Sequence, residues 1–464
     1  MLHKVFVLFY SGKGKGMELI VDTRVYGDEG MPTFLGQVLH RLQVQPENGL
    51  FFLIFLLALI HSFFAPSLHA YARKKREFST SGFKFYSFLS FIGEVEVVFG
   101  LWAIPLLTFL ALSFGWSGMI DYVDRWDYQE PLYILVTMAI ASTYPIFHAF
   151  EHGVFKLLRL CKGKGQGLWW MLLILGPLTG AVFKEGVAMT LSLLVLRKYL
   201  LHQLSPKLLY ATIALLFLNV SLAGALTTFA SSASLIISHY WEWDSSFIFT
   251  QFGIKALFLI LLLPTLGWIF FKKELEQLGE IKEEKESVHV PFWVTGVHLL
   301  FLFGVILFGH QPVLFLGLFV LFLGFTEATP RFQTSLPLRG AILVAFFLAT
   351  VILHAGLQGF WVEALLHHLE HDALLPVSML LTSFNHNAAV AYLATLTPNL
   401  SLDMKEAIFS GIVAGGGLTL IANGPNMIGY RFLTQAISPV EPSVFRLTLW
   451  AIPPTFIAYL VFAL

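Results

Sequence analysis

The chain has 464 residues, of which 56% are apolar and 12% charged, and its mean hydropathy is +0.74. A soluble domain carries about twice that charged fraction, so the composition excludes an ordinary water-soluble fold and points to an all-α polytopic membrane protein. Lysine plus arginine equals aspartate plus glutamate at 29 each, which gives no field to draw nucleic acid; the single cysteine, Cys161, excludes an intramolecular disulfide or a cysteine-built metal site.

Residues 1–49 hold no sustained apolar span, and "VFVLFY" is too short for a signal-peptide core. They read as an N-terminal tail, or as sequence ahead of a true start at Met17 or Met31. Apolar stretches of about 20 residues, enough to cross a bilayer, follow at 50–70, 86–115, 131–148, 207–236, 248–271, 292–310, 312–328, 339–357, 405–427 and 444–464. Two further segments, 168–197 and 374–398, are long for one helix and carry polar residues or glycine midway. Read as re-entrant hairpins, they leave ten full spans.

The positive charges support that reading. With "RKKR" at 73–76 placed in the cytoplasm, twenty lysines and arginines fall in inside loops, and only Arg125 and Lys405 fall outside beyond the tail. Counting either hairpin as one span would invert every later loop and spoil the bias. Both termini then lie outside. The tract "KKELEQLGEIKEEKE" opens a polar cytoplasmic linker, 272–290. It divides a first transmembrane half, 50–271 with hairpin 168–197, from a second, 291–464 with hairpin 374–398.

The halves resemble each other. "AGALTTFASSAS" (223–234) aligns without gaps on "GGGLTLIANGPN" (415–426), and "EGVAMTL" (185–191) aligns on "HNAAVAY" (386–392). The charge count sends the first hairpin in from inside and the second from outside. The result is an inverted repeat, as in many secondary transporters. Pro425 and Gly424 predict a broken helix in "IANGPNMIG", and such breaks at membrane depth line a cavity or an ion site. Thr227, Thr228, Ser231, Ser232 and Ser234 offer oxygens at the matching place in the first half. The plainer reading is small-residue helix packing, with serines bonding back to their own helix. Asn385, His386 and Asn387 interrupt the oil of the second hairpin, where polar groups are costly unless functional.

These residues resemble the sodium/proton antiporter family within the ion-transporter superfamily of arsenite, citrate and dicarboxylate carriers. The resemblance runs from about residue 85 to the C-terminus. It rests on "GEVEVVFGLWAIPLL" (93–107), "GPLTGAVFKEGVAMTL" (176–191), "WEWDSSFIFTQFGIKA" (241–256), and "HNAAVAYL" followed by "GGGLTLIANGPN". It implies opposed hairpins, alternating access, and Na+ and H+ as the transported ions in a multi-pass protein of the inner membrane bilayer; a homodimer is left open. The family's first hairpin reads Thr-Glu-Pro-Ala-Ala-Met-Thr, whereas this chain has Lys184-Glu185-Gly186-Val187-Ala188-Met189-Thr190. The family's second reads Asp-Asn-Ala-Ala, whereas this chain has His386-Asn387-Ala388-Ala389.

An exchanger needs a group that takes either a proton or the cation, and a desolvated carboxylate does so. Glu185 is that group, unless it only neutralises Lys184 or Lys255. Lys184 can stand in for sodium, and His386 can carry a proton. The expected site is therefore Lys184, Glu185, Asn385, His386, Asn387, Thr227, Ser231, Asn423, Gly424 and Asn426, with no cofactor. Glu94 and Glu96 face different sides of their helix, so they are no paired acid. Two other classes compete. "HAFEH" (148–152) and "HHLEH" (367–371) fit a zinc-hydrolase pattern in inverted order, and an anion carrier would use Lys184 with the helix breaks.

Overall fold

The computed structural model describes residues 19, 22–28, 30–78, 83–159, 164–281, 290–309, 311–333, 336, 338–397, 400–436 and 442–464. Cys161, residues 1–18 of the tail, 282–289 of the linker, and with them Lys162, Lys282 and Lys285, lie outside the described residues. Regular structure among the described residues is helical, with one isolated bridge between Lys164 and Glu280.

Among the described residues seven helices are long and apolar enough to cross a membrane: Glu47–Lys75, Val95–Asp124, Gly165–Phe183, Pro206–Ala223, Ser245–Phe270, Leu338–His368 and Val444–Ala463. Gln129–Ala141 and Tyr144–Leu158, bent by 72° at their junction, make an eighth if taken together. Phe292–Leu307 and Pro312–Ala328 are apolar but shorter. The protein is an all-α polytopic membrane protein.

Four of the ten expected spans are not single helices: 86–115 breaks between Ile92 and Val95, 131–148 between Ala141 and Tyr144, and two others break at small residues. Pro206–Ala223 starts on a Ser205 cap, whose hydroxyl accepts from the Leu208 amide at 3.2 Å, with Pro206 in the first turn. It stops at Ala223, and the chain turns irregularly until Ser231 caps Ser232–Trp241 by accepting from the Ser234 amide at 3.0 Å. The expected span 405–427 behaves alike. Leu402–Gly415 ends at the glycine run, and a new helix starts at Gly424. Pro425 therefore sits in a first turn, where its missing N–H costs nothing. The break lies before the proline rather than at it.

These breaks fall at aligned positions, Ala223 with Gly415 and Ser232 with Gly424, and the hydrogen bonds around them repeat. The Glu185 amide donates to the Ala230 carbonyl at 3.2 Å, and the Asn387 amide to the Ala422 carbonyl at 2.9 Å. Thr227 Oγ1 donates to the Ala181 carbonyl at 3.3 Å, and Thr419 Oγ1 to the Ser383 carbonyl at 2.6 Å. Ser234 Oγ donates to the Gly224 carbonyl at 2.6 Å, and Asn426 Nδ2 to the Gly416 carbonyl at 2.7 Å. The two halves are thus structural repeats. The bonds also correct the hairpin register by one residue, because they pair Glu185 with Asn387 and Lys184 with His386.

The first hairpin turns at Lys184, whose φ of +65° ends Gly180–Phe183 and starts Glu185–Val195. Its limbs lie together, with Gly176 against Ser192. The second turns at Asn385 and His386 in extended backbone. Its limbs pack chiefly elsewhere, His371–Phe384 along Leu402–Gly415 and Asn387–Leu396 on Ser232–Trp241. Gly411 and Gly415 allow the first of these contacts, because a Cβ there would strike the Leu375 and Met379 backbone.

Loop contacts agree with the charge-based sides. The Gly165 amide donates to Gly279 at 3.0 Å, joining the start of the first hairpin to the linker. Lys405 lies 5.5 Å from the Trp241 ring, joining two loops assigned to the other face. The tail joins that second group. Thr33 caps Phe34–Val44, and buried Arg41 bonds Asp28 at 2.7 Å and Glu363 at 2.5 Å. Residues 22–44 are therefore a packed part of the fold.

Candidate functional site

The two repeats cross around one cavity of about 650 Å³. Its wall is built from the loop and helix start at 125–134, the first hairpin tip at Lys184–Gly186, the first break at Ala230–Ser232, Ser232–Trp241 with His239 and Tyr240, and Ala388–Leu393 of the second hairpin. Glu185–Val195 packs on Gly424–Ala436, and Asn387–Leu396 on Ser232–Trp241, so each hairpin crosses the other half's broken helix.

Glu185 is 5% exposed and stands in the first turn of its helix, where the helix dipole favours a carboxylate. Its Oε2 accepts from Asn423 Nδ2 at 2.7 Å. This bond unites a tip of one half with the break of the other. Asn423 Oδ1 has no hydrogen-bond partner among the described residues.

Lys184 does not reach Glu185 as an ion pair. Its Nζ lies 4.0 Å from the Tyr133 ring centroid, a cation–π contact at the cavity wall. Lys255 is not a partner of Glu185 either, because its Nζ donates to the Phe462 carbonyl at 3.4 Å. Among the described residues neither lysine forms an ion pair with Glu185.

The other expected residues divide. Ser231 lines the cavity. His386 is wholly buried, with Nε2 3.8 Å from Glu130 Oε1. Thr227 is spent on the Ala181 carbonyl, and Asn385 Nδ2 on the Leu381 carbonyl at 3.1 Å. Asn387 Oδ1 accepts from the Ala388 amide at 2.7 Å. Asn426 Nδ2 braces its break through Gly416 and Thr419, each at 2.7 Å, and Gly424 packs against Ile134 and Leu348. Thr227, Asn385, Asn387 and Asn426 hold backbone in place, and neither they nor Gly424 line the cavity. Their polarity satisfies irregular carbonyls and amides, which a sequence cannot distinguish from ion binding.

The residues missed lie in "DYVDRWDYQEPLY", 121–133: Asp127, Glu130 and Tyr133 line the cavity together with Arg125 and Trp126. Four acidic residues and an arginine just ahead of an apolar span were the available signal. Of the acidic pair in the second expected span, Glu96 bonds Arg431 at 2.8 Å and Glu94 stands at the N-cap of its helix.

Neither zinc-like motif forms a metal centre. Glu151 accepts from Lys198 Nζ at 2.7 Å and Tyr199 Oη at 2.5 Å. "HHLEH" straddles a helix break between His368 and His371, and among the described residues no three His, Cys, Asp or Glu converge on a metal position. Residues 50–464 match the model of the family described as "Putative Na+/H+ antiporter". No curated protein matches the sequence.

Proposed function

The chain belongs to the Na+/H+ antiporter family over residues 50–464, and from that premise we propose that it exchanges sodium for protons by alternating access, with Glu185 as the carboxylate that holds either ion. The family is one of membrane transporters, not of enzymes. The finer reading rests on one observation: Glu185 and Asn423, from opposite halves, meet at the cavity through a 2.7 Å hydrogen bond. A carboxylate in that setting loses its proton before sodium binds, and sodium neutralises it in turn. Rocking of the two repeats about this contact would expose it to each side alternately, in the manner of inverted-repeat carriers.

The test is sodium-driven proton flux in proteoliposomes. Glu185→Gln keeps shape and hydrogen bonding, so it should abolish exchange while leaving the protein folded. Normal sodium transport with normal pH dependence in that variant would sink the reading. An anion carrier is the second reading, because Lys184 and Arg125 also line the cavity. Inhibition of flux by arsenite or small carboxylates, without competition by sodium, would favour it.

A further inference from the structure

Glu130 stands in the first turn of Gln129–Ala141, where an acid usually serves the helix end. Here Asp127 takes that task, accepting from the Gln129 amide at 2.7 Å. The Glu130 carboxylate lines the cavity and makes no hydrogen bond among the described residues. It faces His386, Nε2 to Oε1 at 3.8 Å. The Ala388 amide, which donates to Asn387 Oδ1 at 2.7 Å, also lies 3.3 Å from His386 Nδ1; with Nδ1 as an acceptor there, the neutral ring carries its proton on Nε2. That N–H is buried and has no other partner. The pair is about 1 Å too long for a hydrogen bond and is poised to close into one.

We propose that Glu130, positioned by His386, is a second exchange carboxylate of the cavity, binding a proton and sodium in turn alongside Glu185. This rests on the antiporter reading. As the acid, Glu130 releases one proton to cavity water. The carboxylate left behind takes the His386 Nε2–H on one oxygen and offers the other to sodium, and a returning proton displaces the ion. The charged and titratable groups that share the cavity with Glu130 are Lys184 and Glu185 of the first hairpin, Arg125 and Asp127 of the preceding loop, Tyr133 of its own helix, His239 and Tyr240 of Ser232–Trp241, and Tyr392 of the second hairpin.

The experiment measures sodium-coupled proton flux in proteoliposomes against pH and sodium for wild type, Glu185→Gln, Glu130→Gln and Glu130→Asp. With two coupled carboxylates, the Hill slope of inhibition by acid approaches about two, and Glu130→Gln lowers it to about one. The same variant raises the sodium KM about tenfold, the loss expected of one charged ligand. A Glu130→Gln protein with wild-type slope and KM overturns the inference while Glu185→Gln, being inactive, still upholds the antiporter. If Glu130→Gln does not fold, Glu130→Asp decides: a raised KM with the steep slope retained supports the role, and a wild-type KM overturns it. A wild type without sodium-coupled flux overturns both readings.

Discussion

The two hairpin tips share a backbone and differ in chemistry. Each places an amide on the carbonyl of its own half's break, Glu185 on Ala230 and Asn387 on Ala422. At the first tip the side chains face the cavity: Lys184 lies over Tyr133, and Glu185 reaches Asn423. At the second they are spent on the turn itself, Asn387 on the Ala388 amide and His386 Nδ1 on the same donor. The repeat therefore conserves the way irregular backbone is satisfied in a medium without water. The side chains that face the cavity are free to differ between the halves. A polar residue in such a turn is bracing unless its side chain remains after the backbone is accounted for.

The braces offer the largest test of that division. Asn426 and Ser234 are equivalent, yet Asn426 satisfies two carbonyls, Gly416 and Thr419, and Ser234 satisfies one, Gly224. Orphaning a buried carbonyl costs about 1–3 kcal/mol. Asn426→Ala should therefore destabilise the protein by about 2–4 kcal/mol and Ser234→Ala by about half as much, read as thermal midpoints in detergent. Equal losses would show that the breaks are not braced as the bonds imply.

The threonines give a smaller contrast. Thr419 Oγ1 reaches the Ser383 carbonyl at 2.6 Å and is buried, whereas Thr227 makes a 3.3 Å bond to Ala181 and is half-buried. Thr419→Val should cost about 1–2 kcal/mol, and Thr227→Val less than about 0.5 kcal/mol, with flux unaltered in the second. A transport defect in Thr227→Val would return that residue to the ion site.

Much of this arrangement was legible in the sequence. The aligned strings 223–234 and 415–426 located both breaks, because glycine and small residues permit the same chain path in each half. Glu185 stood out because a lone carboxylate in oil needs a reason. Three things were not legible. The register of the hairpins rests on amide-to-carbonyl bonds, which any residue can make, so the alignment on Glu185 and His386 missed by one. Pro425 looked like a breaker because its position within a first turn depends on where the helix begins. Glu130 lies more than fifty residues from either tip, and only the fold, which packs Gln129–Ala141 on Glu185–Val195, brings it to His386.

The smallest effect separates the approaches to the two hairpins. The first is fastened by backbone, Gly165 to Gly279. The second is preceded by Gly359–His368, which is fastened by charge: Arg41 holds Asp28 and Glu363 and donates to the Phe360 carbonyl at 3.2 Å. Burial alone would push the Asp28 carboxyl up, but hydrogen bonds from Arg41 and Gln37 outweigh it and hold it below its ordinary 3.8. The stability that Asp28 contributes is therefore fully present above that value and is lost only as pH falls through the lower, folded one. Between pH 5 and 8 Asp28 should stay charged, and its share of the clamp should not change. Below about pH 4, protonation of Asp28 should loosen residues 22–44 first, seen as faster hydrogen exchange there than at residues 164–178. Asp28→Asn should remove the acid step and leave the exchange rates of 22–44 raised at every pH. A step that survives in Asp28→Asn, or one centred above pH 5, would assign the acid sensitivity to a group other than Asp28.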